Sequence, residues 1–165
     1  MQLAQTLSET RTLWITFILS VLLTFSFQVV VSVWGVTLVD SISDPTATRA
    51  AIASMTAEQH VVHAWTTATL DVAYPLAYGA WFAGSAYKFF GRWGPWLAAP
   101  MYVLVGTDLA EGVVQVLALV SVADWLDLKA VLTPLKTVLF LFGLLMTVLG
   151  WVIWLVGRLR RPAAS

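Results

Sequence analysis

The chain has 165 residues, enough for one domain, with zero formal net charge and no cysteine. Charged residues make up 11% of it, against about 25% in soluble domains, and hydrophobic residues make up 59%. The lack of cysteine excludes disulfides, thiol redox chemistry and cysteine-ligated metal centres. The few, scattered basic residues give no surface for nucleic acid. The composition therefore predicts an integral membrane protein whose main partner is the lipid bilayer.

Four apolar stretches are each long enough to cross a bilayer, which takes about 20 mostly apolar residues in an α-helix. They cover about 13–36, 63–87, 95–122 and 130–156. Lipid offers no hydrogen-bond partner to a bare backbone amide, so each stretch must be helical. The first stretch is too long for a signal peptide and no cleavage motif follows it, so we expect it to be retained. The sequence thus predicts an all-α, four-helix membrane bundle that forms a single domain over 1–165.

Lysines and arginines beside the four stretches predict their orientation, because cytoplasmic flanks carry the excess of positive charge. If the stretches alternate in direction, six basic residues lie on one side of the membrane and two on the other. The larger set is Arg11, Lys88, Arg92, Arg158, Arg160 and Arg161, and the smaller set is Arg49 and Lys129. Both termini are therefore predicted to be cytoplasmic.

The connection between the first two stretches, Thr37 to Gln59, is the longest in the chain. Within it, Asp44 followed by Pro45 is typical of a helix N-cap with proline at the first helical position. We expect a short helix from Pro45 to about Gln59, with apolar residues on one side. Such a helix would lie along the outer surface as a lid or an interfacial helix.

Ionisable and polar side chains recur on one face of the second, third and fourth stretches, because residues three or four apart share a helical face. A charge at the bilayer centre costs about 2.5–3.5 kcal/mol, so these side chains should face the bundle interior and mark a functional site. The acids outnumber the single base, Lys136, which predicts that a proton, a cation or a cationic ligand shares the cluster. The candidates for binding a ligand or a proton are Asp71, Tyr74, Tyr78, Asp108, Glu111, Gln115, Thr133 and Lys136.

A structural interpretation of the same residues stays open. Lys136 would then form a buried salt bridge with Asp71 or Glu111 that fixes the register of the helices. Tyr78 would pack and hydrogen-bond within that network, whereas for Tyr74 packing and pocket lining are equally favoured. The surplus of acid is the feature that this interpretation leaves unexplained.

The sequence gives weaker support to two further chemistries, metal binding and acid/base catalysis. His60 and His63 share a helical face and are weak metal candidates, but interfacial histidines are commonly satisfied by water, and their position on one helix argues against haem. No cofactor is predicted. Asp71, Asp108 and Glu111 could act as general acids and bases, but no nucleophile motif accompanies them, so a role other than catalysis is favoured.

The polar residues of the last three stretches form a recognisable pattern. It reads Asp71-x-x-x-Pro75-x-x-Tyr78, then Asp108-x-x-Glu111, then Thr133-x-x-Lys136. This pattern resembles a group of small bacterial four-helix membrane proteins of unassigned function, with Gly112 where asparagine would be expected. The resemblance implies that these residues act as one unit and that the chain is a multi-pass protein of a bacterial inner membrane. It implies no activity.

The sequence as a whole predicts a membrane protein with a buried polar pocket that binds or moves protons, a cation or a small amphipathic ligand. One alternative is a structural or assembly subunit that binds another membrane protein or a second copy of itself. The other is a small intramembrane acid/base enzyme. A binding module requires a cavity lined by the acids, an assembly subunit requires saturated pairing of Lys136 without a cavity, and an enzyme requires an opening for a lipid-like substrate.

Overall fold

The computed structural model describes residues 2–160, and over that range the chain is all-helical. Its six α-helices are α1 (Gln2–Ser8), α2 (Thr10–Trp34), α3 (Pro45–Ala53), α4 (Ala57–Phe89), α5 (Gly94–Leu119) and α6 (Lys129–Leu159). Short 3-10 turns at Val39–Ser41, Gly91–Trp93 and Leu126–Leu128 join them. Arg161, which contributes to the predicted orientation, lies outside the described residues.

Three helical segments are long and apolar enough to cross a membrane, which indicates a membrane protein. They are Thr10–Trp34, Gly91–Leu119 and Leu126–Leu159, and they correspond to the first, third and fourth predicted stretches. The second stretch lies within α4, which is 33 residues long but carries more polar residues. At 1.5 Å per residue α4 extends about 50 Å, more than the hydrocarbon core of a bilayer.

Helix α2 ends at Trp34 because of Gly35. This glycine adopts a left-handed backbone conformation with φ of 60°, which costs a residue without a Cβ little. Its N–H donates to the carbonyl of Val31, and its own carbonyl accepts a hydrogen bond of 3.0 Å from Nε2 of Gln59. The turn out of α2 is thereby joined to the first turn of α4.

The short helix predicted after Asp44 is present. The carboxylate of Asp44 accepts hydrogen bonds from the backbone N–H groups of Thr46 and Ala47, at 3.1 and 3.2 Å, as an N-cap should. Its predicted extent to about Gln59 is wrong, because α3 ends at Ala53.

A second cap stops the continuation of α3. The hydroxyl of Thr56 accepts from the N–H of Gln59 at 3.2 Å, and Oε1 of Gln59 accepts from the N–H of Thr56 at 3.0 Å. This reciprocal pair is a capping box, which satisfies two backbone donors at the start of a helix. The chain therefore begins α4 at Ala57, well before residue 63, where the second span was predicted to begin.

Helix α4 is the centre of the molecule and packs against α1, α2, α5 and α6. Two glycines permit this packing, since a Cβ on Gly79 would overlap the side chain of Val105, and one on Gly143 would lie 2.5 Å from a ring carbon of Phe82. Small residues allow such close approach between membrane helices. The buried apolar cluster beside these contacts comprises Tyr78, Phe82, Ala83, Ala86, Ala98, Met101, Leu104 and Met146.

Helix α3 packs across the end of the bundle that carries the connection between α5 and α6, which we call the α3 end. Arg49 holds it there: its Nε lies 2.7 Å from Oδ2 of Asp124, and its Nη1 lies 3.0 Å from Oδ1 of Asp127. A third bond, from Nη2 to Oδ1 of Asp124, makes the first pair bidentate. These hydrogen bonds lower the pKa of the Asp124 carboxyl and raise the pKa of Arg49.

Candidate functional site

Five of the predicted site residues line one cavity of about 400 Å³ towards the α3 end of the bundle. Helix α4 contributes Asp71, Tyr74 and Tyr78 at intervals of three and four residues, so the three side chains share a face. Asp108 of α5 and Lys136 of α6 complete the polar part of the wall. Apolar side chains from α2, α5, α6 and the connection after α2 form much of the rest: Phe27, Leu38, Leu104, Phe140 and Leu141.

A network of ion pairs stands on one side of this cavity. Nζ of Lys136 lies 3.0 Å from Oδ1 of Asp108 and 2.6 Å from Oε2 of Glu111. The hydroxyl of Tyr78 donates to Oδ2 of Asp108, and the hydroxyl of Thr133 donates to Oε1 of Glu111. Lys136 thus pairs with Glu111, one of the two partners considered from the sequence, and with Asp108 instead of Asp71.

The position of Lys129 differs from the sequence prediction. We expected it in the outer flank of the fourth span, but it is the first residue of α6, it is fully buried, and its Nζ pairs with Oε1 of Glu111. Lys136 is therefore one of two bases in the cluster. The spacing could have shown this, because Lys129, Thr133 and Lys136 lie at i, i+4 and i+7 and share one helical face.

The positive charges of Lys129 and Lys136 balance the negative charges of Asp108 and Glu111, which leaves Asp71 as the acid without a base. Its side chain is 8% exposed, and its Oδ2 has no hydrogen-bond partner among residues 2–160. Asp40, in the turn after α2, lines the same cavity, and its Oδ1 is likewise buried without a hydrogen-bond partner among residues 2–160. Over the described part of the chain, neither Asp40 nor Asp71 has a lysine or arginine within salt-bridge distance.

Asp40 is a site residue that sequence reasoning missed. It ends the uncharged stretch that begins after Arg11, and it lies outside the first predicted span. No helical periodicity connects a loop residue to the stripes on α4, α5 and α6, so the pattern that identified the other acids could not include it. A cavity lined by carboxylates of two separate elements, Asp40 and Asp71, follows only from the tertiary structure.

Three predicted residues lie away from the cavity wall. Glu111 and Thr133 are buried behind Lys136, and Gln115 is buried one turn further along α5. Both polar side-chain atoms of Gln115 are without hydrogen-bond partners among the described residues. Glu111 and Thr133 belong to the ion-pair network, whereas Gln115 does not, and none of the three lines the cavity.

The two histidines occupy different environments. Nδ1 of His60 lies 3.2 Å from the carbonyl oxygen of Leu119, and Nε2 lies 3.0 Å from that of Ile52, so the ring links α3, α4 and α5. His63 is fully buried, and within the described range neither of its ring nitrogens has a hydrogen-bond partner. Between residues 2 and 160 no three histidine, aspartate or glutamate side chains are grouped to hold a metal ion.

Comparisons with protein-family models, with curated proteins and with solved structures found no match to this chain. The geometry and charge of the cavity are therefore the basis on which a function can be proposed.

Proposed function

We propose that the chain is a four-span membrane protein whose cavity, in the outer half of the bilayer, binds a cation, or a proton in its place, between Asp40 and Asp71. Helix α4 is the second of the four spans in this proposal. The polar residues along one face of α4 lie inside the protein and not against lipid: Thr67, Asp71 and Tyr78 are all buried. A helix with such an interior stripe need not be apolar all round to cross a bilayer.

The orientation in this proposal has both termini on the cytoplasmic side, with the α3 end outside. The burial of Lys129 strengthens the positive-inside argument, because a lysine paired inside the protein no longer counts as a flanking charge. Arg49 is then the one flanking base on the outer side within residues 2–160, against five on the inner side. Those five are Arg11, Lys88, Arg92, Arg158 and Arg160.

The observation that carries the binding proposal is the pair of carboxyl groups without a base. In a medium of low dielectric constant, two carboxylates that line one small cavity repel each other strongly unless positive charge lies between them. Lys136 is not free to supply it, because its ammonium group is held by Asp108 and Glu111. A bound cation or a shared proton satisfies both Asp40 and Asp71.

Aromatic rings extend the preference for positive charge. Tyr74 and Tyr78 line the cavity with their ring centroids 5.0 Å apart, and Phe27 lies against Tyr74 at 5.7 Å. The faces of aromatic rings attract cations, most strongly organic ammonium groups that shed their water readily. We therefore favour an organic cation over a hydrated metal ion as the occupant.

One observation favours a second function. The pairing of Lys129 and Lys136 with Glu111 and Asp108 is internally balanced, as expected of a network that fixes helix packing in an assembly subunit. That network accounts for two of the acids, but it accounts for neither the cavity nor the Asp40–Asp71 pair. Binding is therefore the primary proposal and assembly the alternative.

Proton release tests the binding proposal directly. The protein is placed in lipid nanodiscs in weakly buffered solution with a pH indicator, and methylammonium chloride is added. The wild-type protein should release protons saturably as the cation replaces the proton shared by Asp40 and Asp71, and Asp71→Asn should not. Glu58→Gln is the matched control, because it removes an exposed acid from the first turn of the same helix.

The two variants separate the possible outcomes. Asp71→Asn is nearly isosteric and removes an unpaired charge, so the thermal unfolding midpoint should stay the same or rise. A folded Asp71→Asn protein that releases as many protons as wild type would overturn the proposal, and so would a wild-type protein that releases none and binds no methylammonium by calorimetry.

A further inference from the structure

We infer that the cation is the ammonium headgroup of a single-chain amphiphile, whose alkyl chain lies in an apolar groove between α2 and α6; this inference rests on the proposed function. The groove is a second cavity of about 390 Å³, adjacent along α4 to the polar one. Its lining is entirely apolar or aromatic: Leu13, Trp14, Phe17, Trp81, Trp151, Val152, Trp154 and Leu155.

The two cavities are bounded by the same pair of helices. Phe27 of α2 and Leu141 of α6 flank the polar cavity, whereas Phe17 of α2 and Val152 of α6 flank the apolar groove. At the far end of the groove α2 and α6 meet through the rings of Trp14 and Trp151, whose centroids are 5.9 Å apart. A molecule that occupies both cavities would thus lie along one seam of the bundle.

Helix α4 contributes to the floor of both cavities. Asp71, Tyr74, Tyr78 and Trp81 follow one another at intervals of three or four residues, so they lie on one face over about 15 Å. The ring of Trp81 lies 4.9 Å from that of Phe17 on α2. The floor is acidic at one end and aromatic along the rest, which is the polarity of an alkylammonium ion.

The charge of the site selects among amphiphiles. Fatty acids and phospholipids carry a carboxylate or a phosphate, which would approach Asp40 and Asp71 with the same sign of charge. A primary or quaternary amine with one alkyl chain brings the opposite charge and no anionic group. Each cavity has the volume of a small-ligand site, at the lower end of the usual range of about 300–1,000 Å³, which suits a single chain.

Tryptophan fluorescence provides the test, because four tryptophans line the groove: Trp14, Trp81, Trp151 and Trp154. The probe is stearylamine with a nitroxide near the end of its chain, added to the protein in phosphatidylcholine nanodiscs. The matched probe is stearic acid with the same nitroxide, which has the same chain and the opposite charge. We expect the amine to quench the fluorescence saturably, because it binds at a site. The acid should quench it only linearly with concentration, because it partitions into the lipid without binding.

Two variants test the place of the headgroup and the place of the alkyl chain separately. Asp71→Asn should weaken saturable quenching about thirtyfold or more, the usual cost of removing one partner of a buried charge pair. Val152→Phe should fill the groove and weaken it about fivefold or more. Val148→Phe is the control for the second variant, since Val148 lies on the same helix, is 49% exposed against 51% for Val152, and does not line the groove.

The methylammonium response keeps this inference distinct from the proposed function. Val152→Phe should release protons to methylammonium as the wild type does, because a cation without a chain does not enter the groove. Normal proton release together with quenching that is linear for both probes would overturn the alkyl-chain assignment and leave cation binding intact. Equal quenching of Val152→Phe and Val148→Phe would overturn the groove as the place of the chain.

Discussion

Lys129 and Glu111 form an ion pair in which both side chains are 0% exposed. Lys129 and the hydroxyl of Thr133 donate hydrogen bonds to Oε1 of Glu111, and Nζ of Lys136 lies 2.6 Å from Oε2 as a second ion pair. A carboxylate that is taken out of water requires such partners, because the loss of hydration costs several kcal/mol for each ion. The pair joins the first turn of α6 to the middle of α5.

Removing Lys129 should therefore destabilise the fold more than removing a flanking lysine. We expect Lys129→Met to lower the free energy of unfolding by about 3 kcal/mol, near the low end of the cost of breaking a buried pair, because Lys136 still contacts Glu111. Reversible unfolding in mixed micelles measures this. The double variant with Glu111→Gln should recover part of the loss, and a double variant as unstable as the sum of both single changes would show that the two side chains are not coupled.

The hydroxyl of Tyr78 offers a second test of the network. Tyr78→Phe removes the donor to Oδ2 of Asp108 and leaves a buried acceptor with one bond fewer, which should cost about 1–3 kcal/mol in the same assay. Tyr102→Phe is the control, since its ring is 46% exposed and its hydroxyl contacts only Tyr87 among the described residues. Equal effects of the two changes would show that the bond to Asp108 contributes nothing.

The site was predictable where helical periodicity carried the information. Asp71, Asp108 and Lys136 stood out because an ionisable residue within an apolar stretch has few explanations other than an interior site. Lys129 was missed because a lysine at the end of a span is usually assigned to the flank, although its long chain can reach inward as well as outward. Asp40 was missed because a turn residue has no periodicity.

The bounds and packing of the helices were likewise predictable from the sequence only in part. Thr56 and Gln59 have the spacing of a capping box, and the prediction of a helix from Pro45 to about Gln59 did not use this signal. The composition of α4 does not show that it lies at the centre of the molecule. Its polar face is accounted for only when the helices that cover it are known. Packing partners are a property of the tertiary fold and not of any single stretch.

Close packing of α6 on α4 gives a third prediction. A Cβ at Gly143 would lie 2.5 Å from a ring carbon of Phe82 and 2.6 Å from Sδ of Met101, both fully buried. Gly143→Ala should lower the free energy of unfolding by about 1–3 kcal/mol through overpacking. Gly157→Ala is the matched control on the same helix, because nothing lies within 4 Å of its added Cβ. A Gly143→Ala protein as stable as that control would contradict the observed approach of the two helices.

The contact between Arg49 and Asp124 gives a prediction of pH dependence. The hydrogen bonds from Arg49 make the pKa of the Asp124 carboxyl lower in the folded protein than in the unfolded chain. The stabilisation of α3 that this provides is therefore complete above the ordinary aspartate pKa of about 3.9 and is lost as the pH falls through the lower, folded value. Hydrogen exchange of the α3 amides should consequently be slow at neutral pH and should accelerate in acid.

Two variants separate this contact from a general loosening of the protein in acid. In Arg49→Gln the α3 amides should exchange rapidly already at neutral pH, while the amides of α4 and α5 keep their protection. In Asp127→Asn the exchange should resemble wild type more closely, because Asp127 makes one bond to Arg49 and Asp124 makes two. High salt should mimic Arg49→Gln in the wild-type protein, because the ion pair is exposed and salt screens it. Equal protection of α3 in Arg49→Gln and wild type would mean that the burial of Ile52 and Thr48, and not this ion pair, holds the helix over the end of the bundle.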